Sequence, residues 1–318
     1  MISVVIPYFN ELRCIGEVFE RTRRAFLACD VTDYEILVVD NGSRFDEHQG
    51  LLELAEKNNG RVLTLSRNFG YQGALWAGLD HAIGDPIVFM DGDGEDPPEV
   101  IAEFVNKWRE GYDVVYGVRL SRKTSWLKNR CYKLFYFLLE RWAKFSIPLD
   151  AGDFSLISGR ALKALRSFED RNRMMRILRA WIGFRQIGVP YHRERRIGGH
   201  SKFSFLTAFS FAMDGFVSAT DVPVRLSIYC ALSCFGFGII GVTYYLFWYF
   251  FTQTPIPGFA SLNITLLLLF SMLFVCFSVL AQYVLALLDE VRKRPPYLVT
   301  NESAASTKNR VLALKDNE

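Results

Sequence analysis

The chain has 318 residues, enough for more than one average domain and a sizeable buried core. Its 37 Lys and Arg against 34 Asp and Glu leave a formal charge of +3, without the basic excess of a nucleic-acid binder, so no nucleic-acid partner is expected. The six cysteines (Cys14, Cys29, Cys131, Cys230, Cys234, Cys276) form no C-x-x-C pair, and the four histidines show no metal-ligand spacing. They read as reduced structural thiols, and no zinc site is expected.

In chain order, apolar runs at residues 3–6, 35–39, 62–65 and 86–90 read as strands, and helical patterns at 15–28, 47–58 and 73–81 separate them. The opening Met1-Ile2-Ser3-Val4-Val5-Ile6-Pro7 is a strand and not a signal peptide, having no basic leader or cleavage site. Strands alternating with helices predict an α/β domain with a mostly parallel sheet flanked by helices. Ligands of such sheets bind beyond the carboxyl ends of the strands. Those ends carry Pro7-Tyr8-Phe9-Asn10-Glu11, Asp40-Asn41-Gly42-Ser43, Ser66-Arg67-Asn68-Phe69-Gly70, and an acidic loop starting at Asp91. Polar loops thus converge on one rim. There is no G-x-G-x-x-G after the first strand and no G-x-x-x-x-G-K-[ST], which disfavours a dinucleotide oxidoreductase and a P-loop NTPase.

The acidic loop is the most informative stretch. In Val88-Phe89-Met90-Asp91-Gly92-Asp93-Gly94-Glu95-Asp96-Pro97-Pro98-Glu99 a buried strand runs into alternating acids. Asp91, Asp93 and Glu95 present carboxylate oxygens suited to Mg2+ or Mn2+, which leave coordination sites open for phosphate. Read alone, the loop is equally well a solvated acidic turn. Asp96 reads as shaping the turn before Pro97.

Residues 226–251 and 263–288 contain no charged residue, and each is long enough to span a bilayer. The turn-rich segment between them makes a transmembrane hairpin. Arg225 precedes it, Arg292, Lys293 and Arg294 follow it, and its loop has no Lys or Arg. By the positive-inside rule the loop faces away from the cytoplasm. Residues 203–225, rich in Phe, read either as an interfacial helix or as a helix packed on the soluble domain. The expected organisation is a cytosolic domain at 1–202, juxtamembrane helices at 203–225, a hairpin over 226–288 and a cytoplasmic tail at 289–318, which reads as disordered after Tyr297. This places a multi-pass protein in the cytoplasmic membrane, its catalytic domain and both termini cytoplasmic. Paired hairpins could associate into homo-oligomers.

Taken together, Ile6-Pro7-Tyr8-Phe9-Asn10-Glu11, Val38-Val39-Asp40-Asn41-Gly42-Ser43, Leu65-Ser66-Arg67-Asn68-Phe69-Gly70 and the acidic loop resemble family 2 glycosyltransferases of the GT-A fold. The nearer resemblance is to bacterial polyprenyl-phosphate glycosyltransferases, relatives of dolichol-phosphate mannose synthase. It extends through Ala151-Gly152-Asp153-Phe154, Arg195-Arg196-Ile197-Gly198-Gly199-His200-Ser201-Lys202-Phe203 and Pro255-Ile256-Pro257-Gly258.

The resemblance implies an inverting, metal-dependent enzyme that moves a sugar from a nucleotide diphosphate sugar, with UDP as the expected nucleotide, to undecaprenyl phosphate. The lipid-linked sugar would then serve cell-envelope glycan modification. Pro7, Phe9, Glu11 and Asp40 would line the nucleotide pocket, Asp40 facing the base or ribose. Asp91, Gly92 and Asp93 would hold the donor, and Asp91, Asp93 and Glu95 the Mg2+ or Mn2+. Arg196 and Lys202 would lie over the diphosphate. Arg119 and Arg130 would receive the lipid phosphate, guanidinium forks suiting phosphate oxygens. Asp93, Arg119 and Asp153 are the expected catalytic residues, with Asp153 near the reacting centre.

Two departures stand out. Asp91-Gly92-Asp93-Gly94-Glu95 replaces the frequent Asp-Ala-Asp-Leu-Gln, and its glycines are expected to loosen the loop. Phe9 replaces a common Tyr. The alternatives are a GDP-mannose-using polyprenyl-phosphate mannose synthase and a non-catalytic membrane scaffold. A processive polysaccharide synthase is disfavoured by the missing Gln-x-x-Arg-Trp, which Arg179-Ala180-Trp181 does not supply.

Overall fold

The computed structural model describes residues 1–120, 151–168, 174–194 and 258–303, with scattered positions between 229 and 251. Arg130, Arg196, Lys202, the expected interfacial segment and most of the first expected span lie outside the described residues. Packing divides the chain into two units: described residues up to 194 and from 295 onward belong to one, those at 229–294 to the other.

The first unit is a helix-flanked sheet. In chain order it contains β1 (Ile2–Tyr8), α1 (Leu12–Ala28), β2 (Tyr34–Asp40), α2 (Phe45–Lys57), β3 (Arg61–Leu65), α3 (Gly70–His81), β4 (Ile87–Phe89) and α4 (Val100–Arg109). It continues with β5 (Val114–Arg119), β6 (Ala151–Ile157), α5 (Gly159–Arg166), α6 (Met175–Trp181), β7 (Gln186–Tyr191) and β8 (Val299–Glu302). The strand order is β7-β5-β6-β4-β1-β2-β3-β8. The pairs β1–β2, β1–β4, β2–β3 and β5–β7 are parallel. The pairs β4–β6, β5–β6 and β3–β8 are antiparallel. The sheet is therefore mixed rather than mostly parallel, because β6 enters against its neighbours on both sides.

Alternation along the strands splits the core between the two faces, since successive side chains point opposite ways. Val4, Ile6, Ile36, Val38 and Val88 pack with Ile15, Val18, Phe19 and Phe26 of α1 and with Phe104 of α4. Val5, Leu37, Val39 and Phe89 pack with Leu75 and Trp76 of α3 and with Leu162 and Leu165 of α5. In α1 the buried positions, Cys14, Ile15, Val18, Phe19, Thr22, Ala25 and Phe26, recur every three or four residues, which is why that stretch folds as a helix against a sheet.

The expected disordered tail is ordered in part. Val299–Glu302 adds an antiparallel strand to the edge of β3, pairing Leu63 with Glu302 and Thr64 with Asn301. Glu302 Oε1 lies 2.8 Å from Arg61 Nη2, and Arg61 Nη1 lies 2.7 Å from Glu35 Oε2. This ionic cluster and the backbone pairing fix a segment that has no apolar signal of its own.

In the second unit α7 runs from Phe259 to Val291, 33 residues, and contains the whole second expected span. Many of its described apolar side chains are exposed, among them Phe274 at 67% and Leu285 at 61%. Among the described residues no helix is long and apolar enough to cross a membrane.

Candidate active site

Register brings the polar loops to one rim. Tyr8 is opposite Asp40 in the β1–β2 pair, so both strands end together. β4 runs parallel to β1, so Met90 and Asp91 leave the sheet on the same side. β6 runs against β4 with Phe89 opposite Ser155, which places Asp153 at the rim where the acidic loop begins. Val118 faces Ala151, and Arg119 faces Tyr191, so β5 and β7 also end there. Pro7, Asp40, Asp91, Arg119 and Asp153 therefore share one edge of the sheet; Pro7, Asp40 and Asp91 lie at strand carboxyl ends as the βαβ reading expects, and Asp153 joins them from the amino end of antiparallel β6.

At the β1–β2 end Asp40 is buried, 1% exposed. Its Oδ1 accepts a hydrogen bond from the Ser43 amide (3.0 Å), and its Oδ2 lies 2.6 Å from His48 Nδ1. Tyr8 donates through its hydroxyl to Glu47 Oε2 (2.8 Å), and the Leu12 amide donates to the same oxygen (3.0 Å). Phe9 and Glu11 are half-buried in the turn between β1 and α1. Glu47 and His48 thus brace the first two rim loops.

The acidic loop is held from several directions. Tyr71 of α3 donates its hydroxyl to Asp91 Oδ1 (2.7 Å). Burial pushes the Tyr71 phenol well above its usual range, so it stays a donor. Burial, with Asp96 and Asp93 close by, pushes Asp91 up to about 7, against which the Tyr71 hydrogen bond acts. Asp93 is 8% exposed and accepts from the Glu95 amide through Oδ1 (3.0 Å).

Gly94 sits at φ 75°, a left-handed conformation that side-chain-bearing residues rarely adopt. A Cβ on Gly92 would meet Ile6 Cγ2 at 3.1 Å and the Pro7 carbonyl at 3.2 Å. The two glycines therefore shape a tight loop instead of loosening it. Asp96 does more than shape a turn. It is 1% exposed, accepts from the Tyr191 hydroxyl through Oδ1 (2.6 Å), and burial raises its pKa while Arg119 opposes the rise.

Arg119 donates from Nε to the Tyr191 hydroxyl oxygen (3.3 Å) and lies across Gly152, where a Cβ would come within 2.7 Å of Nη2. Asp153, 4% exposed, pairs through Oδ2 with Arg176 Nη2 at 3.1 Å; its buried Oδ1 has no hydrogen-bond partner among the described residues. Arg179, one turn further along α6, is 1% exposed and stacks on the Tyr116 ring 5.1 Å away. Burial pushes its guanidinium down to about 10, although nearby Asp153 opposes the fall. Finally Arg193, just after β7, reaches Glu95 Oε2 at 2.6 Å, Asp96 Oδ1 at 3.7 Å and Asp91 Oδ2 at 3.9 Å. Tyr71, His48, Arg176, Tyr191 and Arg193 were not singled out from sequence, since each meets its partner from a different element, His48 from the first turn of α2 and the others from 20 or more residues away.

Among the described residues no group of three or more His, Cys, Asp or Glu has the geometry of a formed metal site. The donor set still fits a hard cation. It offers only oxygens, burial together with the neighbouring acids Asp96 and Asp93 raises Asp91, and a buried oxygen of Asp96 has no hydrogen-bond partner among the described residues. Two carboxylates completed by substrate phosphates are a common way to hold Mg2+.

The family signature described as "Glycosyl transferase family 2" matches residues 3–166. A glycosyltransferase of Synechocystis sp. is 35% identical over 305 residues, covering 94% of this chain and 95% of that one. A bactoprenol glucosyl transferase of Shigella phage SfV is 32% identical, covering 95% and 98%. A prophage bactoprenol glucosyl transferase homolog of Escherichia coli is 32% identical, covering 94% and 98%. Among solved structures, mannosyl-3-phosphoglycerate synthase from Rubrobacter xylanophilus is 19% identical, with a TM-score of 0.46 over 69% of this chain and 72% of that one. The acidic rim lies within the matched segment and the likeness to relatives runs nearly end to end: the chain belongs to glycosyl transferase family 2.

Proposed function

We propose that the protein is a membrane-bound inverting glycosyltransferase that moves a sugar from a nucleotide diphosphate sugar, with UDP as the expected nucleotide, onto a polyprenyl phosphate. The observation that carries this reading is the juxtaposition, on one rim, of acids suited to a metal-bound donor with Arg119, whose guanidinium suits an anionic acceptor, and with the Asp153–Arg176 pair beside it. The names of the phage and bacterial relatives, bactoprenol glucosyl transferases, support the acceptor class.

A bound Mg2+ or Mn2+ would neutralise charge developing on the departing nucleotide diphosphate. Asp91 and Asp93 are the residues to hold it, with Glu95 close by. The acceptor phosphate oxygen attacks the anomeric carbon; the bond from that carbon to the diphosphate oxygen breaks, and its electron pair leaves with the nucleotide. A phosphate monoester has a second pKa near ~6 and is largely dianionic at neutral pH, so it needs placement more than deprotonation. Arg119, anchored by Tyr191 and backed by Gly152, presents a guanidinium to that phosphate. Asp153 is already paired with Arg176, which fits a carboxylate that orients the acceptor rather than one that collects a proton.

The lipid acceptor accounts for the second unit. The charge-free stretch 263–288 lies inside one continuous helix whose described apolar side chains are exposed, and basic residues follow it. An exposed apolar surface of this extent needs a cover, and a bilayer supplies one. The test is to incubate membranes containing the protein with a panel of radiolabelled nucleotide sugars and follow label into butanol-extractable lipid. Label from one sugar supports the reading; no lipid label from any member of the panel contradicts it.

A further inference from the structure

We propose that Arg193 is a tethered counter-cation, occupying the acidic loop until a divalent ion arrives together with the donor's diphosphate. This inference rests on the metal-dependent reading above. The guanidinium lies 2.6 Å from Glu95, 3.7 Å from Asp96 and 3.9 Å from Asp91. These are carboxylates from the loop assigned to metal, and one planar fork spans them as no ammonium could.

The segment carrying Arg193 is laced to the loop on either side of it. The Tyr191 hydroxyl donates to Asp96 (2.6 Å), and the Glu194 amide donates to the Glu95 carbonyl (2.9 Å). Arg21 bridges both partners, donating to both oxygens of Glu99 (2.8 and 2.7 Å) and both oxygens of Glu194 (2.9 and 2.8 Å). The backbone is therefore fixed, while the Arg193 side chain, 31% exposed, keeps room to swing.

Two cations cannot share these oxygens without repulsion. A free divalent ion must displace the guanidinium and so binds weakly. An ion arriving with a diphosphate brings the anion that the displaced guanidinium can pair with. Metal and nucleotide thus enter as a coupled pair, and Arg193 sets the size of the coupling.

The test measures Mn2+ binding to the full chain in detergent, with and without UDP, by calorimetry. In Arg193→Gln, Mn2+ alone binds about tenfold tighter than in the unchanged protein, and the enhancement of Mn2+ binding by UDP shrinks about tenfold. Arg193→Lys, which keeps the charge but not the fork, falls between the two and serves if the Gln variant is poorly folded. Mn2+ affinity that is equal or weaker in both variants overturns the role of Arg193 alone. Absence of Mn2+ binding in every protein, the unchanged one included, overturns the metal reading and this inference with it.

Discussion

The hydroxyl of Tyr71 offers the sharpest probe of the acidic loop. Tyr71→Phe removes one oxygen and leaves the ring in place. In the intact protein that hydroxyl donates to Asp91 Oδ1 at 2.7 Å and opposes the burial that lifts Asp91 from 3.8 to about 7. A hydrogen bond to a charged group contributes about 1.5–3 kcal/mol, and each pKa unit corresponds to about 1.4 kcal/mol. The variant's Asp91 therefore titrates roughly one to two pH units higher.

Protons and a divalent ion compete for this carboxylate. In the unchanged protein Mn2+ affinity falls as pH drops through about 7. In Tyr71→Phe the same fall is complete while the unchanged protein still binds. The linkage has a definite sign. The folded pKa exceeds the unfolded value, so Asp91's contribution to stability is complete below about pH 4 and is lost as pH rises through about 7. Bound metal offsets that loss, so Mn2+ raises the melting temperature more at pH 8 than at pH 6. Calorimetric titration of Mn2+ across this range reads the midpoint directly. Coincident midpoints for the two proteins would refute the reasoning.

Three further outcomes follow from the same structure. Gly152→Ala puts a methyl group within 2.7 Å of Arg119 Nη2, the movable end of that side chain; KM for lipid phosphate rises several-fold while donor KM and melting temperature hold, and a parallel rise in both KM values contradicts it. Arg119→Ala weakens use of lipid phosphate more than donor binding, by about 1.5–3 kcal/mol for a lost charge-assisted contact; steady-state kinetics with each substrate varied in turn would show the split. Deleting residues 299–318 strips the strand from the β3 edge and separates Arg61 from Glu302, lowering stability by about 1–3 kcal/mol; an unchanged thermal melt would show that the strand contributes nothing.

The first half of the fold was legible because its strands are uninterrupted apolar runs. Strands β1 to β4 and the helices between them fall close to where periodicity put them, and the loops at their ends form the rim. The second half was not. β5 carries Gly117 in its middle, β6 opens on Ala151-Gly152-Asp153, and β7 contains Gly188 and Pro190. Such strands read as loops, although β5 and β6 are hydrogen-bonded by neighbours on both sides and β7 by β5.

The polar edge strand at Val299–Glu302 is exposed at every position and announces nothing, its reason for order being Arg61 and the backbone of β3. The site divides similarly. Asp40, Asp91 and Asp93 stand out by type and by position after predicted strands, whereas Arg119 and Asp153 stand out only through the family resemblance, since β5 and β6 read as loops. Tyr71, Arg176 and Arg193 do not, because a tyrosine or arginine on a helix or beyond a strand acquires its meaning only from the carboxylate that the fold brings to it.

The central claim is that Asp93 holds the cation that permits transfer of sugar to lipid phosphate. The most direct measurement compares label transfer from nucleotide sugar to butanol-extractable lipid by membranes bearing the unchanged protein or Asp93→Ala, with Mn2+ or with EDTA. The account predicts transfer only for the unchanged protein with Mn2+, with both proteins present in the membrane fraction in equal amount. Transfer by Asp93→Ala at the unchanged rate, or transfer undiminished by EDTA, would contradict it.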